Sequence, residues 1–489
     1  MEWHVPDGHF GFFERIFQRE EQGVSRGTNR QLAVGNALAA VGRWAAASFV
    51  HNFGQSPHAA GILASSEAPC GQPVEMSKLV IVVHYHELWL KGGNRRFFLS
   101  KLHVALKRAL EGLPVERILR PGDRLLVELG EGASAEEAVA RIERVFGVAF
   151  YAVARVVPRG SDDDLAALGR AAWEEIRGEK FATFAVRSKR SDKSFPQRTI
   201  DIDVSVGQYL VDQLRASGRV ARVKLNDPDL TCRVEIPPGP SLLVYARKIP
   251  GAGGLPPNTA GRMTCLLSGG FDSAVAAHKM MKRGAHLNFV HFWGGGARPG
   301  ESSVHVAREL VKRLVPWQFS AKLYLVPFEP VQREIVARAP EEFRILLYRR
   351  MMLRIAERVA RSNRALGLIT GDSLAQVASQ TLHNMAAVGA AVRMPLYRPL
   401  AGDDKMEIMD AARKIGTHDI SAEPFHDCCP IFLPRNPALH ASVAELDQAE
   451  SPLDIEALVR QGIDAMAIER YRYANGQVEK VESFKSATA

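Results

Sequence analysis

The stretch 263–283 constrains the fold more than any other part of the chain. An apolar run, Met263-Thr264-Cys265-Leu266-Leu267, passes straight into Ser268-Gly269-Gly270-Phe271-Asp272-Ser273, and a helical pattern follows over 274–283. Strand, glycine turn and helix start, in that order, open a βα unit, and the longer βα repeats downstream imply a parallel sheet covered by helices. The turn also implies a ligand. Glycines let a backbone approach an anion, and Ser268, Ser273 and the free amides at the helix start can hold phosphate oxygens. Asp272 does not attract bare phosphate, so its expected partner is the Mg2+ that accompanies a leaving pyrophosphate. No GxxxxGK[ST] occurs in the sequence, which separates this loop from a Walker A loop. The bland alternative, a glycine turn without a ligand, leaves two serines and an aspartate at fixed spacing unexplained.

At 489 residues the chain exceeds one ordinary core, and two to four domains of about 100 to 200 residues each are expected. Residues 1–75 show no sustained periodicity and read as a disordered segment or a mis-assigned extension ahead of Met76. Over 76–150 a strand (79–85), a helix (95–111), a strand (124–129) and a helix (134–146) alternate as in a small α+β sandwich. A second unit, 151–250, reads as helix 163–176, strand 181–187, helix 199–216 and strands near 220–225, 231–236 and 241–246, with Ser161 and Asp164 as a capping pair at its first helix. The breaker-rich GAGGLPPN at 251–258 opens the βα region, 251–440, and a helical tail is expected over 441–489.

No apolar run approaches the roughly 18 to 20 residues of a membrane helix. Lysine and arginine outnumber aspartate and glutamate, 63 to 54, and the formal charge of +9 favours a polyanionic partner over mere solubility. Five cysteines, Cys70, Cys232, Cys265, Cys428 and Cys429, are too few and too unevenly placed for a secreted disulfide framework, and no charged leader with an apolar core precedes a cleavage site. A reducing cytoplasm is therefore expected. No CxxC occurs, which argues against zinc or an iron–sulfur cluster. Cys232 and Cys265 fall in expected strands as small buried hydrophobes, Cys265 remaining a candidate resolving thiol, and Cys70 has no role. Asp427-Cys428-Cys429-Pro430-Ile431-Phe432 lies in a proline-bounded loop beyond the last sheet helix, a suitable place for a mobile thiol nucleophile.

Other segments converge on the same expected pocket. The strand ending at 290–292 and the one ending at 368–371 present their carboxyl edges to a ligand. The small-residue segment 372–380 follows, suited to adenine or ribose, and Arg349 and Arg350 lie on the preceding helix, either at the site or on a solvated cationic face.

SGGFDS closely resembles the PP-loop of the ATP pyrophosphatases, which adenylate a carbonyl oxygen and release pyrophosphate. With His86-Glu87-Leu88-Trp89-Leu90-Lys91-Gly92-Gly93-Asn94-Arg95-Arg96, Arg187-Ser188-Lys189-Arg190, Lys193-Ser194-Phe195-Pro196, the segment from Thr370 to Leu382 and Asp404-Lys405-Met406-Glu407-Ile408, the chain resembles the tRNA 4-thiouridine synthase (tRNA sulfurtransferase, ThiI) family from about Met76 to beyond Asn436. The resemblance implies an α/β PP-loop catalytic domain preceded by ferredoxin-like and THUMP domains. It implies ATP contacts at Leu266, Leu267, His291, Phe292, Arg349, Gly371 and Gln380, beside the turn residues Ser268, Gly269, Gly270 and Ser273. Asp272 and Lys405 match residues the family needs for activation, and Cys429, with Cys428 as runner-up, matches the persulfide carrier. RNA contacts are expected at Lys91, Arg95, Arg96, Arg187, Lys189, Arg190 and Lys193.

The implied activity uses ATP and Mg2+ to adenylate the C4 oxygen of uridine 8 in tRNA, after which persulfide sulfur displaces AMP to give 4-thiouridine. A cysteine desulfurase is the implied donor. The family also admits a ThiS-type carrier for thiamine thiazole synthesis and a homodimer. No cysteine follows Cys429, so the chain resembles the short form without a rhodanese domain. Two alternatives stay open: an amidating PP-loop enzyme that uses ammonia, and a tRNA-binding module with an inactive ATP site.

Overall fold

The computed structural model describes residues 79–160, 163–294, 303–423, 434 and 436–485. Segment 1–75, Ser161 and the loop with Cys428 and Cys429 lie outside the described residues.

The amino-terminal half begins with β1 (Leu79–His84), a short helical turn Glu87–Asn94, α1 (Arg95–Ala109), β2 (Val115–Leu119), β3 (Arg124–Leu129), α2 (Ala135–Ile142) and β4 (Phe150–Pro158). Helix α1 buries Leu99, Leu102, Ala105, Leu106 and Ala109, a single apolar stripe at helical spacing. Helix α2 starts where it does because the Ser134 hydroxyl accepts from Glu137 N at 3.2 Å. There follow α3 (Asp164–Ile176), β5 (Thr183–Arg190), α4 (Thr199–Ala216), β6 (Arg222–Val223), β7 (Leu230–Ile236), β8 (Ser241–Tyr245) and β9 (Ile249–Pro250).

These strands form one sheet in the order β2-β3-β1-β4-β8-β7-β5-β6, with β9 also on β4. Strand β4 makes the join. It pairs antiparallel with β1, Leu79 opposite Arg155 and His84 opposite Phe150, and with β8 from Arg155–Val244 to Pro158–Ser241. The division expected at 150/151 therefore falls inside a strand. The expected elements pass over β4, although its aromatic and β-branched run is broken only by Arg155; in the fold that arginine meets Glu175 at 3.4 Å.

A buried polar seam ties the two units together. Fully buried Arg124 of β3 donates to Glu235 of β7, to Asp123 and to Ser191. Glu235 also accepts from Tyr245 Oη at 2.8 Å and from His84 Nε2 at 3.2 Å. Burial alone would raise the Asp123 carboxyl, but hydrogen bonds and charge from Lys189 and Arg124 bring it down to about 2. With every buried charge partnered, the seam holds the amino-terminal sheet as a single body.

The second sheet carries the site. Its elements are β10 (Arg262–Leu266), α5 (Phe271–Lys282), β11 (His286–Trp293), α6 (Ser303–Leu314), β12 (Ser320–Pro327), α7 (Glu329–Arg338), α8 (Arg344–Ser362), β13 (Leu368–Ile369), α9 (Leu382–Gly389), β14 (Leu396–Tyr397), α10 (Lys405–Ile415), α11 (His418–Ala422), α12 (Val443–Glu450), α13 (Ile455–Asp464), β15 (Ala467–Ala474) and β16 (Gln477–Lys485). The order is β14-β13-β10-β11-β12-β15-β16, and the first five strands are parallel. Residues 287–292 of β11 are all buried, as a strand covered on both faces requires.

The expected helical tail is corrected. Residues 443–464 form α12 and α13, but the chain then turns into β15 and β16, an antiparallel hairpin that extends the sheet beyond β12. Its period is two: Glu469, Tyr471 and Tyr473 point inward while Arg470 and Arg472 face out. The inward Glu469 is balanced by Arg308 at 2.8 Å and by Tyr471 Oη at 2.6 Å. Among the described residues no helix is long and apolar enough to cross a membrane.

One histidine couples α5 to the amino-terminal sheet. His278 stands edge-on to Trp317, with ring centroids 4.6 Å apart, and Trp317 stacks on Phe146 at 4.9 Å. Burial pushes His278 down to about 4 and His286 down to about 4. Both lie below the ordinary histidine value of about 6.5, so between about pH 4 and 6.5 the unfolded chain binds more protons than the folded one. Stability is thus full above about pH 6.5 and is lost as pH falls toward 4, by about 2 kcal/mol per histidine at pH 5. Calorimetry of wild type and His278→Leu between pH 7 and 5 checks this: the melting temperature of the variant should fall less.

Candidate nucleotide site

After β10 the chain lays down β11 and β12 on one side and returns to place β13 and β14 on the other. The carboxyl ends of β10 and β13 diverge at this reversal, where open α/β sheets leave a ligand crevice. A cleft of about 220 Å³ occupies that place, lined by Leu266, Leu267, Ser268, Asp272, Ser273, Phe292, Arg349, Met352, Thr370, Gly371, Asp372 and Gln380.

The turn is held open by its own serines. Ser268 N donates to Ser273 Oγ at 3.1 Å, Gly270 N donates to Ser268 Oγ at 3.2 Å, and the Ser273 hydroxyl reaches the Ser268 carbonyl at 3.2 Å. Gly270 caps α5 at φ −79° and ψ 163°, an extended conformation open to any residue. A Cβ there would meet nothing closer than Ser268 Oγ at 3.5 Å, ordinary van der Waals contact. Neither backbone nor packing requires glycine at 270, and without a Cβ the turn leaves its amides open to close approach by an anion.

Gly371 is different. A Cβ there would sit 2.7 Å from Ser273 N and 2.8 Å from the Asp272 carbonyl carbon. This glycine lets the end of β13 press against the first turn of α5 and so closes the cleft floor.

Asp372 organises the far wall. Its carboxylate accepts from Arg349, from Arg398 Nε at 3.2 Å and from Thr370 Oγ1 at 2.8 Å. Burial alone would raise this carboxyl, but the Arg349 charge and hydrogen bond, Thr370 and Arg398 outweigh burial and hold it below the ordinary carboxylate value. Gln380 Nε2 lies 3.5 Å from Asp372, and its Oε1 is buried without a protein partner. An orphaned acceptor in a cleft fits a ligand that donates, such as an amine or a hydroxyl.

At the mouth, Lys405 Nζ donates to Asp272 Oδ1 at 2.8 Å, and Gln376 Nε2 donates to Oδ2 at 3.1 Å. Lys405 is the first residue of α10, set by a capping box between Asp404 and Glu407, and it also lies 5.4 Å from the Phe271 ring centroid. A single partly exposed carboxylate beside a phosphate-shaped turn fits Mg2+, which is commonly held by one or two carboxylates together with substrate phosphates.

The expected site residues are thus largely gathered in one place: Leu266, Leu267, Ser268, Ser273, Phe292, Arg349, Gly371, Gln380 and Asp272 line the cleft, Gly270 caps α5 and Lys405 stands at the mouth. His291 stands behind the wall. It is buried, with Nδ1 donating to the Leu267 carbonyl at 2.8 Å and Nε2 meeting Ser303 Oγ at 2.9 Å, so it fixes the end of β10. Arg350 turns away from the cleft to Asp447 and Glu450. Met352, Thr370 and Gln376 were not singled out by sequence, although Thr370 and Gln376 lie in the motif that carries Gly371. Cys265 and Cys232 are buried, and burial pushes both thiols up to about 12, as expected of small hydrophobic residues in strands.

The cations expected to meet RNA divide into two kinds. Arg190 donates to the Phe195 and Gln197 carbonyls at 3.1 and 2.8 Å, Lys189 pairs with Asp123, and Arg187 donates to the Leu225 carbonyl, so these shape the loop and the seam. Arg95 reaches Tyr85 Oη at 3.4 Å, and Lys91 lies 5.3 Å from the Phe98 ring centroid. Arg96 and Lys193 are exposed.

Comparison with known proteins follows the same division. Residues 258–455 match the family described as thiamine biosynthesis protein (ThiI), residues 80–152 the ThiI ferredoxin-like domain and residues 161–239 the THUMP domain. A probable tRNA sulfurtransferase of Thermus thermophilus is 41% identical over 398 residues, 81% of this chain and 95% of that protein. One from Moorella thermoacetica is 38% identical over 389 residues, 79% of this chain and 96% of that protein. A crystal structure of a 4-thiouridine synthetase–RNA complex with bound ATP superposes with a TM-score of 0.71 at 28% identity, covering 80% of this chain and 99% of the other. Parallel sheet, glycine turn and similarity over about four-fifths of the chain agree: the chain belongs to the ThiI family of tRNA sulfurtransferases.

Proposed function

We propose that this chain uses ATP to activate the C4 oxygen of uridine 8 in tRNA and replaces that oxygen with persulfide sulfur from Cys429. The observation that carries the reading is the Lys405–Asp272 pair at the mouth of a turn whose Gly270 has no structural need to be glycine. Phosphates rest on the amides of 269–273 and on Ser268 and Ser273, the base lies among Leu266, Phe292 and Met352, and the Gln380 Oε1 acceptor takes its amine or a ribose hydroxyl. Lys405 neutralises charge that builds on the α-phosphate, a contribution worth about 3 kcal/mol in comparable sites. Mg2+ on Asp272 would supply charge stabilisation for the departing pyrophosphate.

The uracil oxygen forms a bond to the α-phosphorus as the bond to pyrophosphate breaks. The terminal sulfur of the Cys429 persulfide then bonds to C4 as the C4–O bond breaks and AMP leaves with that electron pair. A second thiol attacks the Cys429 sulfur, the S–S bond breaks, and the thiocarbonyl remains on the base with an enzyme disulfide. An external dithiol restores the thiols. A cysteine desulfurase reloads the persulfide, and tRNA docks on the ferredoxin-like and THUMP units that precede the PP-loop sheet, with Arg96 and Lys193 among its phosphate contacts.

The chain after Cys429 is tethered beside the cleft. Asn384 Nδ2 donates to the Ala378 and Ala438 carbonyls at 2.7 and 2.8 Å, Ala441 N donates to Asn384 Oδ1 at 2.9 Å, and Thr381 Oγ1 donates to the Leu439 carbonyl at 2.7 Å. Cys429 and Ala438 are nine positions apart, a reach of at most about 30 Å. Asn384→Ala should therefore lower thiolation at least tenfold while tRNA-dependent pyrophosphate release survives; equal loss of both refutes the tethering role.

The test of the whole reading is mass spectrometry of nucleosides from tRNA incubated with enzyme, ATP and a persulfide donor. 4-Thiouridine that requires ATP and uridine 8 is the expected product. ATP turnover with no thionucleoside overturns the reading.

A further inference from the structure

Asp272 is held from two sides by unlike groups. Lys405 brings a charge to Oδ1, whereas Gln376 brings a neutral amide to Oδ2 at 3.1 Å. Gln376 is exposed, so no buried polar group obliges it to find a protein partner. Its position is nevertheless over-determined. The preceding residue, Ala375, stands at φ 61°, a left-handed conformation that disfavours any residue with a Cβ. That conformation is locked in a small closed loop: Ala375 N donates to the Gln380 carbonyl at 2.8 Å, Gln380 N to the Val377 carbonyl at 2.8 Å and Leu374 N to the Ala401 carbonyl at 3.2 Å. Ser373 Oγ adds a bond to the Asp403 carbonyl at 2.8 Å. One end of the loop presents Gln376 to Asp272, and the other presents Gln380 to the cleft.

We propose that Gln376 is a positioning residue that fixes the plane of the Asp272 carboxylate toward the cleft, so that it receives the divalent cation that travels with ATP. This rests on the reading of Asp272 as the cation-facing acid. The chemistry explains the choice of an amide. With Lys405 already balancing the carboxylate charge, a second lysine or arginine on Oδ2 would make the cluster net positive and repel a cation, whereas an amide N–H orients the group and adds no charge. A partly exposed carboxylate held by Lys405 alone would rotate about its terminal torsion, and the cation would bear that ordering cost on arrival.

The test measures binding of a non-hydrolysable ATP analogue as Mg2+ is varied, using the full chain, for wild type, Gln376→Leu, Gln376→Glu and Asp272→Asn. Gln376→Leu should raise the half-saturating Mg2+ concentration at least about tenfold, the size of one hydrogen bond to a charged group. Gln376→Glu, which sets a second carboxylate beside the first, should lower it. Gln376→Leu should leave metal-free binding of the analogue near wild type, and both variants should keep the wild-type melting temperature. Shifts of the same sign in the two variants, or loss of metal-free binding in both, would mean that Gln376 only supports the fold, and the proposal falls. An unchanged Mg2+ dependence in Asp272→Asn instead defeats the parent reading of Asp272, whatever Gln376 does.

Discussion

Serine at position 429 should reduce 4-thiouridine formation to the level of an enzyme-free control while the affinity for ATP stays within about twofold of wild type. The size of the loss follows from chemistry. Sulfane sulfur can be carried only on sulfur, a serine hydroxyl cannot form the S–S bond, and no side reaction of the nucleotide cleft supplies an alternative donor. ATP binding is spared because the residues that line the cleft come from β10, α5, β11, α8 and the segment after β13, none of which contains this cysteine. Nucleoside mass spectrometry and equilibrium dialysis give the two readouts. Cys428→Ser, one residue away, should retain a measurable share of turnover with a reductant present. If Cys429→Ser still thiolates tRNA and Cys428→Ser does not, the carrier is Cys428 and the assignment is reversed.

The parts of this site that sequence makes visible are those in which function is encoded over a few consecutive residues. The turn 268–273 is of this kind, because strand, glycines, serines and helix start must follow one another to make an anion cradle at all. Helix α4 spans the expected 199–216 for a similar reason: its apolar residues Ile202, Val206, Leu210 and Leu214 recur every fourth position. Contacts that join distant segments leave no such trace. Gln376 and Asp272 lie 104 positions apart and meet only through the reversal of strand order at β10, while Arg349 and Asp372, 23 apart, meet because α8 packs on the strand that follows it. Arg349 and Arg350 show how one residue decides a role: a helix turns about 100° per residue, which sends the first to the cleft and the second to Asp447 and Glu450. The hairpin of β15 and β16 does carry a local signal, Asn475-Gly476 with φ 49° and 79° as a two-residue hairpin turn requires, although the outward arginines and inward Glu469 blur the apolar alternation of its strands.

Two glycines in the cleft separate what the fold requires from what the ligand requires, and alanine at each should give opposite results. In Gly270→Ala the new methyl meets only Ser268 Oγ at 3.5 Å, on a backbone at φ −79° that alanine adopts freely. The stability cost is confined to exchanging glycine for alanine at a helix cap, under about 1 kcal/mol, and the melting temperature should move by no more than a few degrees. ATP affinity should nevertheless fall at least tenfold, because the methyl occupies the space through which phosphate oxygens approach the amides of 270–273. In Gly371→Ala the methyl would lie 2.7 Å from Ser273 N and 2.9 Å from Ser273 Cα, and backbone cannot step aside as a flexible side chain can. The end of β13 and the first turn of α5 must separate, with overpacking strain of about 1 to 3 kcal/mol, so stability and ATP binding should fall together. Thermal melts and ATP titrations on the two variants distinguish the cases. Normal ATP affinity in a folded Gly270→Ala would show that no anion presses against that turn, and Lys405 and Asp272 would then be an ion pair at the rim of an empty crevice.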